Sequence, residues 1–111
     1  MRSSEDFRVT VRRGTKAART TLVAHVLPAG RVAGSALDSP TSVGFVVNRG
    51  VGTAVDRNRV KRRLRHLMRS RLADVSEGSR IVVRALPAAR EVSSSVLAGD
   101  LDEALSRAGA R

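Results

Sequence analysis

The apolar positions of the chain recur with two periods, one helical and one of strands. In SEDFRVTVRR, Phe7 and Val11 stand four apart, Ser3 or Ser4 can cap, Glu5 and Asp6 fall in the first turn, and Gly14 follows as a stop. This predicts a short helix over 3–13. TTLVAHVL (20–27) and SVGFVVN (42–48) are β-rich apolar runs and predict strands, the second followed by the turn NRGVG. Between them PAGRVAGSALDSP (28–40) is a Gly/Pro/Ser/Ala loop. Thr53 and Asp56 form a T-x-x-D cap opening a helix that runs to about Ala73. SRIVVRAL (79–86) predicts a third strand, closed by Pro87. Ser93 to Ser95 offer caps for a last helix carrying Val96, Leu97, Leu101, Ala104, Leu105 and Ala108 at helical spacing. The order α-β-β-α-β-α describes one domain over 1–111, an α+β fold (α/β sandwich) with a single mixed sheet flanked by helices.

The 53–73 helix carries the most unusual pattern. On a helical wheel Val60, Leu64, Leu67, Met68 and Leu72 fall within roughly 140°, a stripe that faces a core. Asn58, Lys61, Arg62, Arg65 and Arg69 flank one side of it, and Arg59 and Arg63 the other. From Arg57 to Arg71 there are eight Arg or Lys residues and no acid. Repulsion between such neighbours costs only tenths of a kcal/mol per pair, whereas each buried Leu or Val returns about 1.5–3 kcal/mol. The fold can therefore carry the charge. A merely solvated face mixes signs, so this one predicts a partner with closely spaced phosphates.

The formal charge of the 111 residues is +11, and the 57–71 segment supplies most of it. Basicity is thus a local feature. Phe7 and Phe45 are the only aromatics, so the core is aliphatic; cysteine is absent, which excludes disulfides and thiolate metal sites and fits a reducing cytoplasm. No apolar run reaches the ~20 residues of a membrane span, and MRSSEDFRV has no hydrophobic segment of a signal peptide. His25 and His66 are far apart in sequence, and most acids stand at or near predicted helix ends, where capping explains them. No clustered carboxylates of the kind a protein-borne nuclease uses to hold divalent metal are visible.

The stretch VGFVVNRGVGTAVDRNRVKRRLRHLMR closely resembles the signature of the bacterial ribonuclease P protein subunit. The matching positions are Gly44, Val47, Arg49, Gly52, Ala54, Val55, Arg57, Asn58, Arg59, Lys61, Arg62 and Arg65, with further likeness in SEDF at 4–7, RRG at 12–14 and SRIVVRALP at 79–87. The resemblance covers nearly the whole chain. It implies a left-handed β-α-β crossover around the signature helix, where the general rule favours the right-handed form. It implies a protein that assists catalytic RNA in removing the 5′ leader of precursor tRNA and has no catalytic residue of its own. Its partners would be the ribonuclease P RNA and precursor tRNA, without membrane or DNA, and the cofactor Mg2+ held mainly by RNA.

By position, Arg57, Asn58, Arg59, Lys61, Arg62 and Arg65 inherit the contact with catalytic RNA, and Arg49, Arg63 and Arg69 extend the same surface. Guanidinium groups suit paired contacts to phosphate oxygens. The family's second surface is a cleft between the first helix and the sheet that holds the single-stranded leader. Phe7 matches an aromatic of that cleft; Val11 stands where a second aromatic is common, and His25 where Tyr is frequent. Strand alternation puts Val46 and Asn48 on the cleft face and Phe45 and Val47 in the core. A core anchor at Phe7 and a half-buried strand histidine at His25 are the plain alternatives. Many members carry a basic arm before the first helix; here only Met1 and Arg2 precede Ser3, so the arm is missing or the native start lies upstream. Two other functions fit the charge alone: a structural RNA-binding protein, such as a ribosomal protein, and a module laying the 53–73 helix in a DNA groove. No helix-turn-helix partner precedes that helix.

Overall fold

A computed structural model describes residues 4–29 and 40–110. Most of the 28–40 loop, and the residues before Ser4, lie outside the described residues. The elements are α1 (Ser4–Arg13), β1 (Thr15–Ala18), β2 (Leu22–Leu27), β3 (Ser42–Val46), α2 (Ala54–Arg69), β4 (Arg80–Ala85) and α3 (Ser94–Arg107), with short 3-10 turns at Arg49–Val51, Leu72–Asp74 and Pro87–Arg90.

The four strands form one mixed sheet in the order β1-β2-β4-β3. β2 is antiparallel to both β1 and β4, while β3 and β4 are parallel, joined through α2. The strand β1 is a correction to the order α-β-β-α-β-α. TKAA is short, poor in β-branched residues and carries a lysine, so no apolar period marks it. It forms because it follows directly on α1 and turns back onto β2, pairing Thr15 with Val26 and Ala18 with Val23; Ala17 alone of its residues is buried.

The central strand β2 is buried at all six positions, which is why LVAHVL lacks polar alternation: both faces of the sheet are covered. Leu22, Ala24 and Val26 join Ile81, Val83 and Ala85 of β4 on one face. There they meet Val60, Leu64 and Met68 of α2 and Leu97, Leu101, Ala104 and Leu105 of α3 in a single aliphatic core. Val43, Phe45 and Val47 pack against its margin, as alternation along SVGFVV predicts. The opposite face carries Gly44, Val82, Val23 and His25 and receives α1. A methyl group at Gly44 would collide with the Phe7 ring, and one at Gly14 would lie 2.5 Å from the Thr10 carbonyl oxygen and 2.8 Å from that of Val26. The two glycines thus let α1 lie directly on the sheet.

Helix ends follow local chemistry. Thr53 caps α2: its Oγ1 accepts from the Asp56 amide at 3.2 Å, and the Asp56 carboxylate accepts from the Thr53 amide at 3.0 Å. The helix closes at Arg69, so Leu72 falls in a 3-10 turn and is 41% exposed; it does not extend the apolar stripe. At the end of α3, Gly109 takes a φ of 81°, and the Ala110 and Gly109 amides donate to the Leu105 and Ser106 carbonyls, the paired bonds of a left-handed glycine cap.

Leu64 is fully buried beneath α2, whereas Arg62 is exposed. Leu64→Ala is expected to lower unfolding free energy by about 2–5 kcal/mol in urea titrations, and Arg62→Glu to change it by less than about 0.5 kcal/mol. Equal losses would show that the two faces of α2 are misassigned.

Candidate RNA-binding surfaces

The basic surface of α2 exists because its apolar side is sealed. Val60, Leu64 and Met68 are at most 2% exposed, and the cations between them are rotated outward. Arg59, Arg62, Arg65 and Arg69 are exposed and Lys61 half-buried; among the described residues none of the five has a carboxylate partner. Asn58 is exposed between them, and with Val47, Ala54, Arg57 and Lys61 it lines a shallow depression of about 360 Å3. Arg57 stands half-buried at the start of the helix, its Nε donating to the Thr53 carbonyl at 3.4 Å. Arg49 is exposed on the 3-10 turn that leads into α2.

Arg63 departs from its expected role. Its Nη2 donates to the Val92 carbonyl at 2.6 Å and its Nε to Ser94 Oγ at 3.2 Å. The second flank of α2 faces the turn before α3, so this guanidinium ties two helices together instead of standing free for a phosphate. Arg71 likewise binds both carboxylate oxygens of Asp102, at 2.7 and 3.1 Å. Asp56, the one acid near the start of α2, is held below the usual carboxylate range by hydrogen bonds from the Thr53 backbone and side chain, with smaller help from Arg90 and Arg59. It stays charged as a cap, pairing with Arg90 and lying near Arg59 alone of the outward cations.

The second surface lies beside α1 on the sheet face away from the core. Val11 and Val46 border two adjoining hollows. One, of about 410 Å3, is lined by Phe7, Arg8 and Arg12 of α1. The other, of about 270 Å3, has Lys16, His25, Arg84 and Leu86 around it and Val23 and Val82 in its floor. Phe7, Val11, His25 and Val46 are therefore brought together as the sequence predicts. Phe7 both lies on Gly44 and borders the cleft, so its two candidate roles coincide. Asn48 is a correction: β3 ends at Val46, and the Asn48 side chain accepts from the Gly50 amide at 3.1 Å, capping the 3-10 turn. It is not among the residues lining either hollow.

Lys16 and Arg84 were missed. Arg84 was within reach, since alternation along RIVVRA sends Ile81, Val83 and Ala85 to the core and Arg80, Val82 and Arg84 to the other face. Lys16 was not, because its strand has no apolar period. His25 is 7% exposed and its Nδ1 has no hydrogen-bond partner. Burial first, then the charges of Lys16 and Arg84, lower its pKa from the ordinary 6.5. Among the described residues no three His, Cys, Asp or Glu come together as a group that could hold a metal ion, and no helix is long and apolar enough to cross a membrane.

A small α+β fold that seals one side of a helix in an aliphatic core, displays on the other cations with no salt bridge among the described residues, and adds a cation-edged cleft has the form of an RNA-binding protein. The chain belongs to the ribonuclease P protein family, the non-catalytic protein subunit of an RNA-catalysed endoribonuclease: residues 1–109 match the family model described as Ribonuclease P. It is 50% identical to the ribonuclease P protein component of Streptomyces avermitilis, over 96% of this chain and 89% of that one. It is 48% identical to that of a Nocardioides species, over 99% and 91%. The structure of the ribonuclease P protein of Staphylococcus aureus superposes with a TM-score of 0.82 at 20% identity, covering 99% of this chain and 94% of that one, and a Thermotoga maritima ribonuclease P protein with 0.80 at 26%, covering 96% and 97%.

The lowered pKa of His25 fixes a direction for stability. The unfolded chain takes up this proton more readily than the folded one, so the contribution is complete above the ordinary histidine value and is lost as pH falls through the folded value. Urea midpoints are expected to drop between about pH 8 and pH 5.5 in the native chain and to drop less in His25→Gln. An unchanged slope in the variant would show that His25 is not held neutral.

Proposed function

We propose that the open face of α2, centred on Asn58, Lys61, Arg62 and Arg65, docks on the catalytic ribonuclease P RNA, and that the cleft between α1 and the sheet holds the single-stranded 5′ leader of precursor tRNA. The observation that carries the first half is the charge arrangement: cations at successive turns of one helix, fixed from beneath by Val60, Leu64 and Met68, of which Lys61, Arg62, Arg65 and Arg69 have no salt-bridge partner among the described residues. Such a row complements phosphates spaced along folded RNA, and its binding releases counterions. The second half rests on Phe7, Val11, His25 and Val46 sharing one cleft with basic side chains around it. An extended strand fits such a groove; a duplex is far wider.

In this reading the protein supplies positive charge and a leader groove, and chemistry stays with RNA. Magnesium is held mainly by RNA phosphates, and the cations of α2 lessen the phosphate repulsion that the metal otherwise has to screen. The work is done in the cytoplasm.

Reconstitution with the cognate RNA tests this. The protein should lower the magnesium needed for cleavage and tighten binding of leader-bearing tRNA over mature tRNA. Arg62→Ala and Arg65→Ala should each weaken RNA binding and flatten its log–log salt dependence by about one unit, with unchanged thermal unfolding. Salt dependence identical to that of the native protein would remove α2 from the RNA contact.

A further inference from the structure

Of the cleft's two hollows, the one beside His25 has no Phe, Tyr or Trp among the described residues that line it, and so nothing of that kind to hold a leader by its bases. The Phe7 ring borders the more open hollow, against Gly44, and the more enclosed one is walled by Val11, Val23, Val46 and Val82. What it has instead is nitrogen. Lys16 and His25 are directly opposed in the β1–β2 ladder, and His25 pairs with Val82 while Val23 pairs with Arg84. Arg84 is thus the diagonal neighbour of His25, within reach of a long side chain. All three border the 270 Å3 hollow, and no acid is among the described residues that line it. Beside it stands His25, 7% exposed, with Nδ1 buried and unsatisfied. Buried polar atoms normally have a partner; Nδ1 has none and is closed off from solvent, so it is another edge of the His25 ring that borders the hollow between the two cations.

We propose that Lys16, His25 and Arg84 form a seat for one backbone phosphodiester of the leader, and that His25 takes up a proton as the phosphate enters. This rests on the cleft being the leader site. The empty site disfavours a third positive charge, so burial, Lys16 and Arg84 keep the imidazole neutral. The other charged groups nearby, Arg8 and Arg12 of α1 in the adjoining hollow, act in the same direction, and β3 contributes only Val46. A phosphodiester carries one negative charge, keeps it throughout, and reverses the balance: the imidazolium then has an anion to face and can donate toward it. The proton comes from solvent, and no bond of the RNA changes. Leader affinity is therefore linked to pH through a single residue of the cleft, independently of the salt-sensitive face of α2.

Two measurements decide it. In the reconstituted holoenzyme, the ratio of mature to leader-bearing tRNA dissociation constants should rise as pH falls from about 8 to about 6, by at most about tenfold per pH unit. His25→Gln should retain a leader preference but lose the pH dependence, and Lys16→Ala and Arg84→Ala should each reduce the ratio. In the full chain carrying His66→Gln, the His25 ring proton followed by NMR should titrate at higher pH when a single-stranded oligonucleotide of leader sequence is bound. One methylphosphonate linkage, neutral in place of phosphate, should abolish that rise at one position along the oligonucleotide. A leader preference that is flat with pH, or a rise that survives every single methylphosphonate, would overturn the phosphate seat and leave the leader cleft standing. Loss of leader preference at every pH would overturn both.

Discussion

The seating of α2 on the sheet is the contact on which the rest depends. Val60, Leu64 and Met68 recur at i, i+4 and i+8 and are buried to 2% exposure or less, so one line of side chains meets Leu and Ala residues of α3 and the β2–β4 face in a common core. Each contributes about 1.5–3 kcal/mol, while like-charge neighbours on the outer surface cost tenths. That inequality is what permits so many cations on sixteen residues of helix. It also fixes them: a helix pinned along one line cannot rotate to bring its guanidiniums toward acids of its own chain.

The second constraint is the approach of α1. Gly44 and Gly14 remove side chains where helix and sheet would otherwise be held apart, and Phe7 fills the space over Gly44. α1 then covers only part of its sheet face. The uncovered part, bounded by Val11 and Val46, is the cleft. The cleft is thus the remainder left by a ten-residue helix on a four-stranded sheet, and its chemistry is decided by whichever strand residues alternate toward that side. β1 extends this surface by one strand and brings in Lys16.

Most of this architecture was legible in the sequence because apolar periods report burial. The three helices, the caps of α2 and α3 and three of four strands lie within a few residues of where period and capping residues put them, and the T-x-x-D box closes as read. Three things escaped, each for a physical reason. TKAA forms a strand through the partner that its preceding turn delivers, which leaves no mark in its own hydropathy. Asn48 continues the alternation of β3 on paper, but a 3-10 turn claims its side chain. Arg63 is indistinguishable by composition from Arg62, and only the neighbouring turn at Val92 separates a tether from a free cation.

That last pair shows how one residue type serves two ends in an arginine-rich chain. Arg63 and Arg71 point where α3 or the turn before it offers a carbonyl, a hydroxyl or the Asp102 carboxylate, and they become part of the fold. Arg62, Arg65 and Arg69 meet no such group among the described residues, and Arg59 lies near only the capping Asp56. The sorting is done by helical phase: about 100° of rotation per residue separates adjacent arginines into those facing protein and those facing solvent. Acids are sorted by the same rule. Asp102 is matched to Arg71, Asp100 accepts from Thr21, and Asp56 caps α2. With these acids engaged in an ion pair, a hydrogen bond and a cap, Lys61, Arg62, Arg65 and Arg69 keep no salt-bridge partner among the described residues, an arrangement that suits a polyanionic partner and that a net charge alone could not have ensured.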